Sequence, residues 1–370
     1  MPGAADTKEL LQRPMVAQAV KDLLRRMRAD GLKAGDKLPP QSALRSADGR
    51  GAGTLDAAMA ILVAHGVLSR KRKVGTVVED PGVAIPGLWT VGYAYVPEDI
   101  GPVPYSTLLS ALLQSELALR GYTLRVYPRR QHQIHVPDRL AGFAQLATEI
   151  ASGDLDALVT TADLDHRDLA TCTGAGIPVV HCGHCHAMPC AALFDRERWQ
   201  SDALGWLRAA GAARIHLVYN YGPQDGARDQ HWTAMAQLFG GTLPRIHARG
   251  NGHQAGIAIA GDLLALPAAE RPDGLLVTDD RIASGLSLRL ATAGAYRPKL
   301  AVLGCRQVSQ PYGWPVAVFA SDLAALVASG LSLVQDRLLA PGLAAEQRIQ
   351  PLMRADEVHS CIAAETGDPP

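Results

Sequence analysis

The sequence predicts an α/β architecture in two parts, a small N-terminal winged helix-turn-helix and a longer domain of parallel sheets. Two patterns carry this. The run from Leu38 to Val78, LPPQSALRSADGRGAGTLDAAMAILVAHGVLSRKRKVGTVV, sets a short polar helix, a turn, an amphipathic helix and a basic hairpin in that order. From Leu88 onward, strand-like apolar runs alternate with helix-like runs, as parallel sheets covered by helices on both faces require. Length agrees, since 370 residues fit a small domain plus a larger one.

Taken in order, residues 1–13 are polar and read as a frayed start. Val16, Val20, Leu23, Leu24 and Met27 then repeat at helical spacing, which predicts a helix over 15–29 closed by Asp30-Gly31. Pro39 and Pro40 are read as opening the next helix, as N-terminal prolines do. Gly49 to Gly53 break the pattern. From Thr54 the apolar residues Leu55, Ala58, Met59 and Leu62 fall on one helical face, and Gly66 ends that helix. Val67-Leu68 and Gly75–Val78 read as the strands of a hairpin with Arg70, Lys71, Arg72 and Lys73 at its tip.

The stretch EDPGVAIPG, Glu79 to Gly87, is the natural linker. This divides the chain into a winged helix-turn-helix domain at 1–80, a linker at 81–87, an α/β domain at 88–354 and a tail at 355–370. In the α/β domain WTVGYAYV, TLRVY, DALVT, IPVVH, ARIHLVY, LPRIH, GLLVT, KLAVLG and PVAVF read as strands. The intervening helices are expected at 105–120, 137–152, 165–175, 196–210, 226–239, 253–265, 281–294 and 321–339.

Net charge is zero, but unevenly spread: residues 1–80 hold 14 Lys and Arg against 9 Asp and Glu, the rest 22 against 27. A basic end that coincides with a helix-turn-helix pattern points to nucleic acid. No N-terminal apolar signal and no run of eighteen apolar residues is present, so a cytoplasmic protein without a membrane span is expected. The six cysteines suit reduced thiols better than a disulfide framework in a chain this long.

The N-terminal motif resembles GntR-type winged-helix regulators. Leu38-Pro39, Leu44, Gly49, Thr54, Ala58, Leu62, HGVL, Arg70 and GTVV match in register without a gap, over roughly the first eighty residues. The resemblance implies binding of double-stranded DNA. It also exposes departures: Ser42, Ala52 and Asp56 stand where the family usually carries arginines that reach DNA. The expected recognition helix therefore has no cation, and an aspartate near phosphate is unfavourable. Arg45, Arg50 and Arg70–Lys73 are the expected phosphate contacts, with Thr54 and Arg50 closest to reading sequence.

The alternation after Leu88 resembles the effector domain of LacI-type repressors, shared with periplasmic sugar-binding proteins. It is carried by VGYAYVPEDIGPVPYSTLLSALLQSELALRGYTLRVY, DALVTTADLDHRDLATCTGAGIPVVHCG, GARDQHW and DGLLVTDDRIASGLSLRLATAG. This implies two α/β subdomains around a ligand cleft, a small polar effector and a homodimer. Carried over residue by residue, the effector contacts are Tyr105, Asp195, Arg196, Arg228, Trp232, Asp279, Asp280 and Arg306. Three have a plainer reading beside them: Tyr105 packs the start of its helix, Asp280 caps the helix from Arg281, Arg306 points to solvent. Arg306 and Gln307 stand where the family commonly has an Asp pair, so with Arg228 a carboxylate or phosphate becomes acceptable, and a sugar acid is as natural an effector as a sugar.

His181, Cys182, His184, Cys185, His186 and Cys190 concentrate possible zinc ligands in ten residues, but without the separated pairs of a structural zinc site. An effector-contacting or packed loop is the favoured reading, a metal or thiol sensor the alternative. No cofactor motif and no enzyme constellation is legible: neither a phosphate-binding glycine loop with its lysine, nor Gly-x-Ser-x-Gly, nor His-Glu-x-x-His. The resulting expectation is a ligand-responsive transcription regulator, its rival a sugar-binding module with a vestigial DNA-binding domain.

Overall fold

A computed structural model of the chain describes residues 4–48, 51–95, 105–129, 140–143, 145–162, 164–183, 188–219, 243–250 and 252–354. The chain forms two compact units, the first from Met1–Pro97, Ser106–Ala192 and Val327–Arg348, the second including Leu193–Leu326 and the chain from Ile349.

The first unit begins with α1 (Ala4–Leu11), α2 (Pro14–Ala29), α3 (Gln41–Asp48) and α4 (Ala52–Ala64), then the hairpin of β1 (Leu68–Lys71) and β2 (Gly75–Val78). The polar start is not frayed: α1 packs on α2 and α4. α2 buries Val16, Ala19, Val20, Leu23, Leu24 and Met27 against Leu55, Ala58, Met59, Ile61 and Leu62 of α4. Pro39 and Pro40 precede α3 instead of filling its first turn, and the Pro40 carbonyl accepts from Ala43 N and Leu44 N at 2.9 and 3.1 Å. α4 starts two residues earlier than the apolar spacing suggested, with Gly51 as its N-cap. Gly66, at φ +76°, turns the chain so that Val67 N bonds Leu62 O and β1 can begin. Leu68 then faces Val78 across the hairpin, and an isolated bridge from Lys37 to Val77 adds a third short partner.

The α/β part continues with β3 (Thr90–Tyr95), α5 (Tyr105–Leu119), β4 (Thr123–Pro128), α6 (Leu146–Ser152), β5 (Ala157–Thr160), α7 (His166–Gly174), β6 (Val179–Gly183) and β7 (Ala191–Phe194). Next come α8 (Arg196–Ala209), β8 (Ile215–Tyr219), β9 (Arg245–His247), α9 (Gly252–Ala265), β10 (Gly274–Val277) and α10 (Asp280–Ala293). The described chain ends with β11 (Lys299–Cys305), β12 (Ala317–Ser321), α11 (Leu323–Leu339), β13 (Gln347–Gln350) and β14 (Met353–Arg354). The helix expected at 137–152 is only α6, preceded by a 3-10 turn at Leu140–Gly142; that expected at 226–239 and the tail at 355–370 lie outside the described residues. β7, β13 and β14 were not foreseen.

Each unit holds one six-stranded sheet, in the orders β13-β7-β6-β5-β3-β4 and β14-β12-β11-β10-β8-β9. β3 pairs in parallel with both β4 and β5, and β8 pairs in parallel with both β9 and β10, while β14 is antiparallel to β12. Strand order therefore reverses about β3 in one sheet and about β8 in the other. In open parallel sheets a crevice opens at such a reversal, beyond the carboxyl ends of the strands. In the second unit α9 and α10 cross very closely, because Gly256 and Gly285 let the backbones meet: a Cβ on Gly285 would overlap the His253 carbonyl.

Candidate DNA-binding and effector-binding sites

The wing exposes Arg70, Lys71, Arg72 and Lys73, and Lys73 takes φ +65° at its tip. Their charges are not equivalent. Lys71 Nζ lies 3.0 Å from Glu79, whose carboxylate also accepts from the Ser69 hydroxyl, so part of the Lys71 charge is already compensated. These bonds to Ser69 and Lys71 hold the Glu79 carboxyl below its ordinary pKa. Among Arg70, Arg72 and Lys73 no bond to a described residue offsets the charge, leaving them for phosphate. On α4, Thr54 is half-buried in the first turn and Asp56 is exposed, where it accepts from Gln41 Nε2 of α3 at 2.5 Å. Asp56 thus ties the two helices of the helix-turn-helix together. Arg45 belongs to α3, but its side chain is not among those described, and Arg50 lies outside the described residues.

The linker expected between the domains is packed rather than free. Ile85 is buried, as are Leu88 and Trp89 just after the linker, Gly87 N bonds Gly121 O at 2.7 Å, and Gly121 sits at φ +76° where a Cβ would stand 2.9 Å from Pro86 Cα. α2 is fastened across this junction. Lys21 Nζ reaches both oxygens of Asp156 at 2.7 Å, and Asp156 also accepts from Thr90 N at 2.8 Å at the start of β3. Lys21 and Arg25 both lie 5.2 Å from the centre of the Trp89 ring, Arg25 Nε donates to Leu338 O at 3.0 Å, and Arg28 pairs with Asp336 at 3.2 Å. One helix face thus serves the winged core while its flank grips the first sheet.

In the second unit the carboxyl end of β10 carries Thr278, Asp279 and Asp280 next to the strand-order reversal at β8. The capping role falls to Asp279, not Asp280: its carboxylate accepts from Arg281 N at 2.9 Å and Ile282 N at 3.3 Å and pairs with the Arg281 guanidinium at 3.0 Å. That carboxylate is spent. Asp280 opens α10 with its carboxyl near the position a Cβ on Gly304 would take, 3.9 Å away. Burial, then the neighbouring Asp279 charge, push its pKa up to about 6. Burial and the same two carboxylates raise the Tyr312 phenol. Thr278 Oγ1 is buried and finds no hydrogen-bond partner among the described residues. A partly desolvated carboxylate and an unspent hydroxyl at the same strand end are suited to accept from, and donate to, a ligand rich in hydroxyls. Thr278 was missed in the sequence; its one signal was its place as the last residue of the predicted strand GLLVT.

Arg306 does not stand free. Its Nη1 donates to Asp322 at 2.9 Å and Gln307 Nε2 donates to the other oxygen at 2.9 Å, while Asp322 also accepts from Ala324 N at the start of α11. Asp195 likewise caps α8 by accepting from Arg198 N at 3.0 Å. Tyr105 and Arg196 are the first residues of α5 and α8, and their side chains are not among those described. Arg228 and Trp232 lie outside the described residues.

His181 and Cys182 are successive residues of β6 and so point to opposite faces of the sheet. Both are buried, as is Cys190, and burial pushes the Cys182 thiol up to about 12. Cys182 Sγ packs on α11 at Gly330, where a Cβ would overlap it. His184, Cys185 and His186 lie outside the described residues, and among the described ones no group of three His, Cys, Asp or Glu could hold a metal ion. No helix among them is long and apolar enough to cross a membrane.

Comparison with known proteins agrees with both halves of this picture. Residues 15–78 match the family of bacterial regulatory proteins described as the gntR family. No curated protein matches the chain. Among solved structures, a LacI-family regulatory protein from Chloroflexus aggregans is 16% identical with a TM-score of 0.55, over 72% of this chain and 96% of its own. A LacI-family transcriptional regulator from Enterococcus faecium with bound ribose is 17% identical, TM-score 0.53, over 71% and 96%. The Cra transcriptional dual regulator from Pseudomonas putida, in complex with fructose 1-phosphate, is 16% identical, TM-score 0.55, over 71% and 97%. The chain therefore carries a GntR-family helix-turn-helix domain at residues 15–78, joined to a domain with the periplasmic-binding-protein-like fold of LacI-family transcriptional regulators.

Proposed function

We propose that this chain is a cytoplasmic, homodimeric transcription regulator that binds double-stranded operator DNA through its winged domain and a small sugar through its α/β domain, and so controls carbohydrate metabolism. The observation that carries the reading is the shared compact unit of winged domain and first sheet, fastened by Lys21, Asp156 and Trp89. A ligand that displaces this sheet moves α4 and the wing with it, and two winged units in a dimer match a two-fold DNA site. Ligand then changes DNA affinity by its differential affinity for the two arrangements.

The sugar class is supported by the ribose and fructose 1-phosphate held by the two regulators of like fold and by the unspent Thr278 hydroxyl and raised Asp280 carboxyl at the end of β10. The sugar-acid reading has less support, because Asp322 already offsets part of the Arg306 charge. A thermal-shift panel of neutral sugars, uronic acids, sugar phosphates and zinc decides the class, since a ligand at a hundred times its Kd stabilises by about 2.7 kcal/mol. Stabilisation by a uronic acid that disappears in Arg306→Ala would restore the acid reading, and stabilisation by zinc alone would favour a metal or thiol sensor in the Cys/His segment of residues 181–190.

DNA binding is tested by a shift assay with the gene's own upstream DNA at low salt, with and without the ligand found. No shift in either state would favour a sugar-binding module whose winged domain no longer reads DNA, the reading that a cation-free α4 with exposed Asp56 supports.

A further inference from the structure

A cavity of about 210 Å³ lies among α2, the linker and the carboxyl-terminal end of α11, all in the first unit. Its volume equals roughly seven waters at about 30 Å³ each, smaller than the ~300–1,000 Å³ that drug-sized ligands occupy. Leu24, Ile85, Trp89 and Leu338 give it an apolar wall. Arg120, Tyr122 and Gln335 supply the polar side, and neither the Arg120 guanidinium, the Tyr122 hydroxyl nor the Gln335 amide bonds any other described residue. Burial raises the Tyr122 phenol and the Arg120 charge opposes that rise, and both residues line the cavity. Elsewhere at this junction the cations are spent: Lys21 on Asp156, Arg28 on Asp336. Arg120, Tyr122 and Gln335 are all half-buried, so water can serve them, and a ligand that accepts from them takes the place of that water.

We propose that this cavity is a second ligand site, separate from the sugar site of the α/β domain, and that it takes a small carboxylate with an apolar body. A carboxylate matches the guanidinium bidentately and leaves a lone pair for the Tyr122 hydroxyl or the Gln335 amide. The apolar body lies against Trp89 and Ile85. Because α2, the linker and α11 each form a wall, an occupant braces the winged domain against the first sheet, and occupancy sets how firmly the DNA-binding helices follow that sheet.

The test uses full-length protein and 4-fluorobenzoate followed by fluorine NMR, with neutral 4-fluorobenzyl alcohol as control. Saturable binding of the benzoate is expected, at least tenfold weaker for the alcohol and at least tenfold weaker in Arg120→Gln, with the melting temperature of the variant unchanged. Gln335→Leu is the second variant, should Arg120→Gln disturb the fold, and is expected to weaken binding severalfold. Asp280→Asn, at the sugar site, leaves benzoate binding intact. Absence of saturable binding, equal binding of acid and alcohol, or binding lost in Asp280→Asn and kept in Arg120→Gln each overturns the assignment.

Discussion

Replacing Asp280 by Asn is expected to stabilise the protein at neutral pH and to weaken sugar binding. The Asp280 carboxyl is raised from the ordinary 3.8 to about 6 by burial and by Asp279. At roughly 1.4 kcal/mol for each pH unit, that rise costs the folded state at most about 3 kcal/mol once the group ionises. Two effects reduce the gain on substitution: solvent still reaches part of this edge, and a negative charge in the first turn of α10 is worth about 0.3–1 kcal/mol. A net gain of about 1–2 kcal/mol is expected.

The sign follows from proton uptake. The folded state holds this proton more tightly than the unfolded state, so the contribution of the protonated group is complete below about pH 4. It is lost as pH rises, and is gone above the folded value of about 6. Urea unfolding of wild type and Asp280→Asn at pH 4.5, 5.5, 6.5 and 7.5, following the transition of the second unit, should show an advantage that grows over this window and then levels. An advantage equal at pH 4.5 and 7.5, or a variant less stable at pH 7.5, would refute the burial argument. If the strained carboxylate is held in place for ligand hydroxyls, the same variant binds sugar more weakly while it unfolds less readily.

Other expectations follow from the same geometry. Arg72→Ala and Lys73→Ala should each flatten the dependence of log affinity for DNA on log salt by about one unit, whereas Lys71→Ala, partly neutralised by Glu79, should change it less; fluorescence anisotropy titrations that rank Lys71 first would show the wing contacts to be misassigned. Asp156→Ala strands Lys21 and Thr90 N at a junction where the Lys21 and Asp156 side chains are 14% and 15% exposed, and should cost about 3 kcal/mol and open the linker to protease; unchanged unfolding and cleavage would mean that α2 is not fastened there. Gly285→Ala drives a Cβ into the His253 carbonyl and should cost about 1–3 kcal/mol or more in thermal unfolding; an unaltered midpoint would mean that the α9–α10 crossing relaxes freely.

What the sequence determined by itself was the succession of elements. Periodicity is a local property: the 3.6-residue spacing of Val16 to Met27, the GTVV return strand and the apolar runs DALVT and GLLVT each declare their own conformation. The charges of the wing were equally legible, because four adjacent cations need no fold to be noticed. What only the tertiary structure decided was which of these groups are spent. Asp279 and Asp280 are indistinguishable as neighbours in a string, yet one caps the helix and pairs with the Arg281 guanidinium while the other is half-buried, its pKa raised by burial and by Asp279. Arg306 looked available until Asp322, sixteen residues on, was brought beside it. β7, β13 and β14 were invisible for the same reason: short segments such as Gln347–Gln350 carry little pattern, and neighbouring strands supply the partners that make them sheet. The linker shows the limit most plainly, since its prolines and glycines announce a break in periodicity, while the packing of Ile85 and Trp89 under α2 makes it a joint. Hydrogen bonds and ion pairs between residues far apart in the chain depend on where the backbone carries them, and that is fixed by burial of the whole core rather than by any local run of residues.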